Sequence, residues 1–293
     1  MLPVIRLALL LAMVPGIALA HAPEAPGWSG PEPWIALPWL LAAGLYGAGF
    51  LRLWRRSASG RPEMARRGQI FTLGLLTLAV SSLSPLHAAS GRSFTAHMIE
   101  HELIMLVAAP LFVWSRPLGV MIWAFPAGGR QALAAIPRSR AGGGLWRFFS
   151  DPLLATVLQA AAIWIWHLPS LFDRALKHEG WHAAQHLSFF VTALLFWSAM
   201  LGPRRNAWIA AFCLFATSMI TGALGAFMAL SESPWYGPYA ALGLAAFGLT
   251  PAEDQQLAGL LMWVPGGLLH AIVAVAILAP HLRSAPMKEA HDA

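Results

Sequence analysis

NAWIAAFCLFATSMITGALGAFMAL, residues 206–230, runs for twenty-five positions without a charged side chain. A hydrocarbon core about 30 Å thick takes roughly 20 helical residues to cross, so this stretch reads as a transmembrane helix. Six more apolar stretches of spanning length flank it, near 34–54, 68–88, 95–115, 152–168, 182–202 and 256–280. A shorter apolar piece at 117–127 lies between Arg116-Pro117 and Pro126. At that length it reads as interfacial or re-entrant rather than spanning. The expected fold is therefore all-α, a polytopic membrane helix bundle of about seven transmembrane helices.

Composition agrees. Of 293 residues, 58% are hydrophobic and 11% charged, and a soluble domain usually carries about twice that charged share. Fourteen Trp and 22 Pro fit helices that end at an interface and turn back. The net charge of +6 does not mark a nucleic-acid binder, because the basic residues sit in short runs between apolar segments. With one cysteine, Cys213, the chain can build neither a disulfide framework nor a Cys-rich metal site. A metal would have to be held by His, Met, carboxylate or backbone.

The ends and the loops set orientation. Residues 1–20 read as a signal peptide, with Arg6, an apolar core from Leu7 to Val14, and Ala18-Leu19-Ala20 as a small-x-small cleavage pattern. Cleavage there would make His21 the new N-terminus, whose α-amine and imidazole form a chelating pair for copper. Residues 21–33 follow as a periplasmic segment, then the membrane domain 34–282 and a cytoplasmic tail 283–293. Fifteen Lys and Arg fall in one set of alternate loops and in the tail, among them Arg52, Arg55, Arg56, Arg66, Arg67 and Arg130. The other loops carry three, Arg92, Arg174 and Lys177. The positive-inside rule then places the N-terminus outside and the C-terminus in the cytoplasm, as the signal peptide does independently.

On that topology the histidines gather. His87 ends the second helix, His97 and His101 open the third, His167 ends the fourth, and His182 and His186 open the fifth, all on the outer side; His178 lies in the adjoining loop. The pairs His97/His101 and His182/His186 are spaced i, i+4, which stacks side chains about 6 Å apart on one helix face. Such pairs on facing helices make metal sites in bundle cores. Glu100 and Glu102 share the same turns, where one could ligate and the other orient an imidazole. Met98, Met105 and Met262 add thioethers, and imidazole plus thioether without thiolate suits Cu(I). Packing is the competing reading for each Met, and hydrogen bonding to backbone or headgroups is the competing reading for the His pairs. Met262 falls about 9 Å and His270 about 21 Å into the last helix, counted from residue 256. Gly259, Gly266 and Gly267 permit close helix contact on the way. His270 stays open between a deeper ligand, a proton relay and a packing hydrogen bond.

Five motifs occur in order. They are His97-Met98-Ile99-Glu100-His101-Glu102-Leu103 followed by Ala109-Pro110-Leu111; Trp166-His167-Leu168-Pro169; His182-Ala183-Ala184-Gln185-His186 with Phe196-Trp197; Asp254-Gln255-Gln256-Leu257-Ala258-Gly259; and Met262-Trp263-Val264-Pro265-Gly266-Gly267. Over about residues 34–282 the chain resembles the multi-span CtaG-type assembly factors of cytochrome c oxidase. The resemblance implies a bacterial inner-membrane protein, not an enzyme, that matures a heme-copper oxidase of the respiratory chain and delivers copper to it. It implies a metal set of His97, His101, His167, His182 and His186, with Met262. The implied partners are oxidase subunits, a periplasmic copper donor and the lipid bilayer, with no nucleotide and no nucleic acid. Three alternatives stand beside it. A copper or proton-coupled transporter would place its site near the midplane on broken helices. A heme-binding redox protein needs only one His from each of two helices. A scaffold would leave the histidines dispensable.

Overall fold

The computed structural model describes residues 33–57, 59–202, 205–244 and 248–283. The expected signal peptide, residues 21–32, His21, Arg204 and the tail beyond Arg283 lie outside the described residues. All secondary structure among the described residues is helical.

The chain runs through α1 (Pro33–Arg56), α2 (Arg61–Leu83), the short α3 (Pro85–Ser90) and α4 (Phe94–Glu102). Helix α4 continues without a break through a π-helical turn (Leu103–Ala108) into α5 (Ala109–Ser115). Short helices α6 (Pro117–Met121), α7 (Ala127–Ala135) and α8 (Arg140–Phe149) lead to α9 (Pro152–Trp166) and α10 (Pro169–Lys177). The long α11 (Glu179–Leu201) and α12 (Ala207–Ala229), the short α13 (Gly237–Ala241), and α14 (Pro251–Arg283) complete the chain. Proline in the first turn opens α2, α3, α9 and α10, where its missing N–H is no loss. Side-chain caps act too: at α9 the Asp151 carboxylate also accepts from the backbone N–H of Leu153 and Leu154, and at α12 Asn206 accepts from Trp208 and Ile209.

Helix is present at all seven expected positions. Four segments combine the length and apolarity of a membrane span: 94–115, 179–201, 207–229 and 251–282. Helices α8 and α9 make a fifth only as one broken span, bent by 63°. The expected count of seven is thus not reached by this measure. Helix α9 has 15 residues, about 22 Å at the helical rise. Helices α1 and α2, with 24 and 23 residues, are long enough, but Arg52, Arg55 and Arg56 end the first, and Arg61, Glu63, Arg66 and Arg67 open the second. Glu63 accepts from both Arg66 and Arg67, and these bonds hold its carboxyl down at about 2. The piece at 117–127 is α6 and a 3₁₀ turn (Ile122–Ala124), too short to cross. The Arg52 guanidinium donates to the free carbonyls of Trp123, Ala124 and Phe125 at 3.0, 2.7 and 3.2 Å.

The packing is that of a bundle with an apolar exterior. Large side chains such as Leu76, Val191, Phe215, Phe227, Leu268 and Ile272 are exposed along the long helices. A contiguous apolar surface of this kind belongs against lipid rather than water. Inside, one cluster holds Met98, Phe172, Phe189, Phe196, Trp197 and Met262. A second joins α1 and α2 to the α4–α5 segment through Tyr46, Phe71, Ile104 and Phe112. Helices α12 and α14 meet backbone to backbone: a Cβ on Gly259 would lie 2.5 Å from the Gly225 carbonyl oxygen and 2.6 Å from the Ala229 nitrogen. Glycine is required at this crossing.

Candidate metal centre

The connections that carry the histidines meet at one end of the bundle, and the last helix ties them together. Asp254, in the first turn of α14, caps α4: its carboxylate accepts from the Ser93 hydroxyl at 2.9 Å, the Phe94 N–H at 2.6 Å and the Thr95 N–H at 3.2 Å. Its neighbours pin the segment after α12. Gln255 accepts from the Trp235 N–H at 2.6 Å, and Gln256 donates to the Ser231 carbonyl at 3.0 Å. That segment returns two tyrosines to the histidines. Tyr236 donates to the His167 carbonyl at 3.0 Å, and Tyr239 donates to the Ser90 carbonyl at 2.6 Å.

All six expected histidines converge. Ring centroids are 4.4 Å apart for His97 and His101, 4.2 Å for His182 and His186, 5.2 Å for His97 and His182, and 5.1 Å for His101 and His186. His87 stacks on His182 at 5.3 Å, and His167 lies 6.3 Å from His101. His97, His182 and His186 each offer a ring nitrogen, and these three atoms lie within 4.8 Å of one another. Ligands at about 2.0–2.1 Å from one ion stand roughly 3.3–3.5 Å apart, so side-chain rotation of about an ångström closes the set. His178 is exposed and outside the group.

The hydrogen bonds fix which nitrogens are free. A carbonyl can only accept, so the Tyr239 hydroxyl spends its proton on Ser90 and must accept from His97 Nδ1, 3.1 Å away. His97 Nε2 then carries the lone pair, buried and without a hydrogen-bond partner among the described residues. His167 follows the same logic: Nδ1 donates to the Ile163 carbonyl at 2.7 Å, leaving Nε2 bare. Nε2 of His182 and of His186, and both nitrogens of His101, are buried and unpartnered as well. Buried polar atoms are nearly always satisfied, so this concentration of orphaned nitrogens makes the cluster the candidate metal site. Glu100, fully buried, takes a hydrogen bond from His87 Nδ1 at 2.9 Å and places its other oxygen 4.0 Å from His186 Nε2. It is the acidic residue of the site. Glu102, two residues on and so about 200° round the helix, faces elsewhere.

Met262 is not beside the three-histidine constellation. It lines a small cavity deeper in the bundle, with Glu102, Met105, Gln159, Trp197 and His270. The π turn shapes that cavity, since its widened backbone leaves the Met105 carbonyl to accept from Trp197 Nε1 at 2.8 Å. The residues that reading the sequence missed are Asp254 as a helix cap and Tyr239 as the partner of His97. Asp254 stood in a motif and gave a signal; Tyr239 gave none.

Over the described residues, fold and site together define an all-helical bundle with a lipid-type exterior and a six-histidine cluster, with His97, His101 and His167 buried and His87, His182 and His186 partly exposed. The chain belongs to the cytochrome c oxidase caa3 assembly factor family, whose profile matches residues 44–284. Uncharacterized proteins of Mycobacterium bovis and Mycobacterium tuberculosis are each 28% identical over 257 residues, 83% of this chain. One of Mycobacterium leprae is 26% identical over 251 residues, 81% of this chain. The chain spans 37–38% of the length of these relatives. No solved structure matches it.

Proposed function

We propose that this protein is a bacterial inner-membrane factor that holds Cu(I) as cargo and delivers it to a heme-copper cytochrome c oxidase. The observation that carries the reading is the set of three ring nitrogens within 4.8 Å, on two facing helices, in a cluster of bare imidazoles. Membership of an oxidase assembly family supports the destination. His97, His182 and His186 take the ion, His101 and His167 stand one step deeper for exchange, and Glu100 balances its charge. In the proposed orientation, with seven passes and the histidine end outside, a periplasmic donor loads the cluster and an oxidase subunit in the same bilayer receives the ion. No bond-making chemistry is needed, so the protein works as a carrier rather than an enzyme. Imidazole ligands without thiolate keep the ion exchangeable.

The test is copper content under reducing conditions. Detergent-purified wild type is compared with a His97→Ala/His101→Ala/His182→Ala/His186→Ala variant of equal helicity. Copper in the first and a large loss in the second supports the reading; equal copper in both, or none in either, removes it and leaves a scaffold. A Soret band on the purified protein would instead favour the heme-binding alternative, and radioactive copper uptake into proteoliposomes the transporter.

A further inference from the structure

Below the histidine cluster lies the cavity of about 20 Å³ that Met262 lines, room for one water-sized species. Most polar groups on its wall present a lone pair, and the one indole N–H, of Trp197, is spent on the Met105 carbonyl. Gln159, 4% exposed, spends an amide proton on Met105 Sδ at 3.1 Å, and its Oε1 is buried without a partner. His270 Nδ1 donates to the Gly266 carbonyl at 2.7 Å, which leaves Nε2 as an acceptor. The hydroxyls of Thr217 and Thr221 donate to carbonyls on their own helix, at 2.9 and 2.8 Å. Glu102 Oε2 is buried and unpartnered, and it approaches α14 where Gly266 has no side chain, 3.3 Å from the position a Cβ would take. Two thioethers, Met105 and Met262, complete the wall. A chamber this rich in acceptors favours a cation or a donor. Its soft members, two thioethers and an imidazole, select Cu(I) among biological cations.

We infer that this chamber is a second Cu(I) site, distinct from the histidine cluster, with Met105, Met262 and His270 as ligands and Glu102 as the compensating charge. The inference rests on the copper reading above and extends it to two stations along one path. The stations are contiguous: Glu102 follows His101 in sequence, and Ile163, on the chamber wall, supplies the carbonyl that orients His167. Glu102 also lines an apolar groove of about 280 Å³ with Leu103, Leu106, Leu261 and Leu269, so the chamber lies one side chain from the lateral surface. A carrier that passes its cargo sideways within the bilayer needs such a position.

The experiment is copper stoichiometry and copper-edge X-ray absorption on the full chain loaded with Cu(I) under reducing conditions. The wild type should hold two equivalents, with sulfur scattering. Met105→Leu/Met262→Leu, a volume-conserving pair of changes, should hold one equivalent and lose the sulfur signal. His97→Ala/His182→Ala/His186→Ala should hold one equivalent and keep it. Glu102→Gln, which preserves shape, should weaken the sulfur-bound equivalent alone, and it reports on the chamber if the triple variant fails to fold. One nitrogen-only equivalent in the wild type, or a methionine variant identical to wild type, overturns the second site and leaves the first reading standing. No copper at all overturns both.

Discussion

Removing the Asp254 carboxylate should unmake the start of the helix that carries His97 and His101. In Asp254→Ala the Ser93 hydroxyl and the N–H groups of Phe94 and Thr95 lose their acceptor at a point where Ser93 is 6% and Phe94 1% exposed, so water cannot readily replace it. Loss of a helix cap costs about 1–2 kcal/mol, and each buried N–H left unsatisfied adds about 1–3 kcal/mol. With the Phe94 N–H buried and the Thr95 N–H only partly so, the expected loss is about 2–5 kcal/mol. For a domain of this size 1 kcal/mol moves the midpoint by roughly 2–4 °C, which makes a fall of about 10 °C. Asp254→Asn keeps one oxygen but turns an amide N–H₂ toward a donor, and should lose about half as much. Thermal unfolding in mild detergent, followed by tryptophan fluorescence, reads both. Because His97 lies one turn inside the capped end, Cu(I) affinity should fall in the same order. A shift under about 3 °C for Asp254→Ala would show that the α14 to α4 tie does not organise the site.

Tyr239→Phe removes the hydroxyl that orders the His97 ring. Losing an outer partner of a metal-binding His costs about 10–100-fold in affinity, so competition against a chromophoric Cu(I) chelator should show at least a tenfold loss, with the midpoint lowered by a few degrees because the Ser90 carbonyl also loses its donor. Gly259→Ala must push α12 and α14 apart against backbone atoms of Gly225 and Ala229; overpacking of this kind costs about 1–3 kcal/mol. Gly44→Ala, with nothing within 4 Å of the new Cβ, should be neutral or stabilising by up to about 1 kcal/mol, and equal effects at the two sites would refute the close crossing. For orientation, Arg92→Cys should react with a membrane-impermeant maleimide in intact spheroplasts and Arg56→Cys only after lysis, over a low background because Cys213 is buried; the reverse pattern would invert the proposed topology.

The bilayer explains what could be read from the chain. It imposes a length and a polarity on a long apolar helix, so helices appear at the positions the apolar runs mark, and successive helices return His87, His97, His167 and His182 to one end of the bundle. Those constraints are local and need no knowledge of partners. What failed was depth. Counted from residue 256, Met262 falls about 9 Å into its helix, level with the histidines. The helix begins at Pro251, which puts Met262 about 16 Å in, in the lower chamber. An error of five residues at a helix start is a turn and a half, enough to move a side chain from one station to the next. The π turn was equally hidden, since Leu103–Ala108 has an ordinary apolar composition and only the packing of Trp197 and Gln159 around Met105 gives its widened backbone a purpose.

One pattern joins the cap and the chamber. Asp254, Ala258, Met262, Gly266 and His270 recur every fourth residue along α14, and all five are buried. Side chains four apart lie on neighbouring turns of one face, so this stripe is the inward edge of the helix. It holds α4 by a carboxylate at the top and opens into the chamber where Gly266 makes room for Glu102, while the close crossing with Gly225 lies on the adjoining face, at Gly259 and Trp263. The spacing alone marks a buried edge. Its polar members acquire meaning from what faces them: Asp254 meets three donors and ends as structure, whereas His270 lines the chamber with Gln159 and two thioethers, the place where the proposed second copper site needs an imidazole. The same helix face is thus a clasp at one end and a cavity wall at the other. Substitutions along it should separate accordingly, with those at 254 and 258 read in stability, and those at 262 and 270 read in bound copper at nearly unchanged stability.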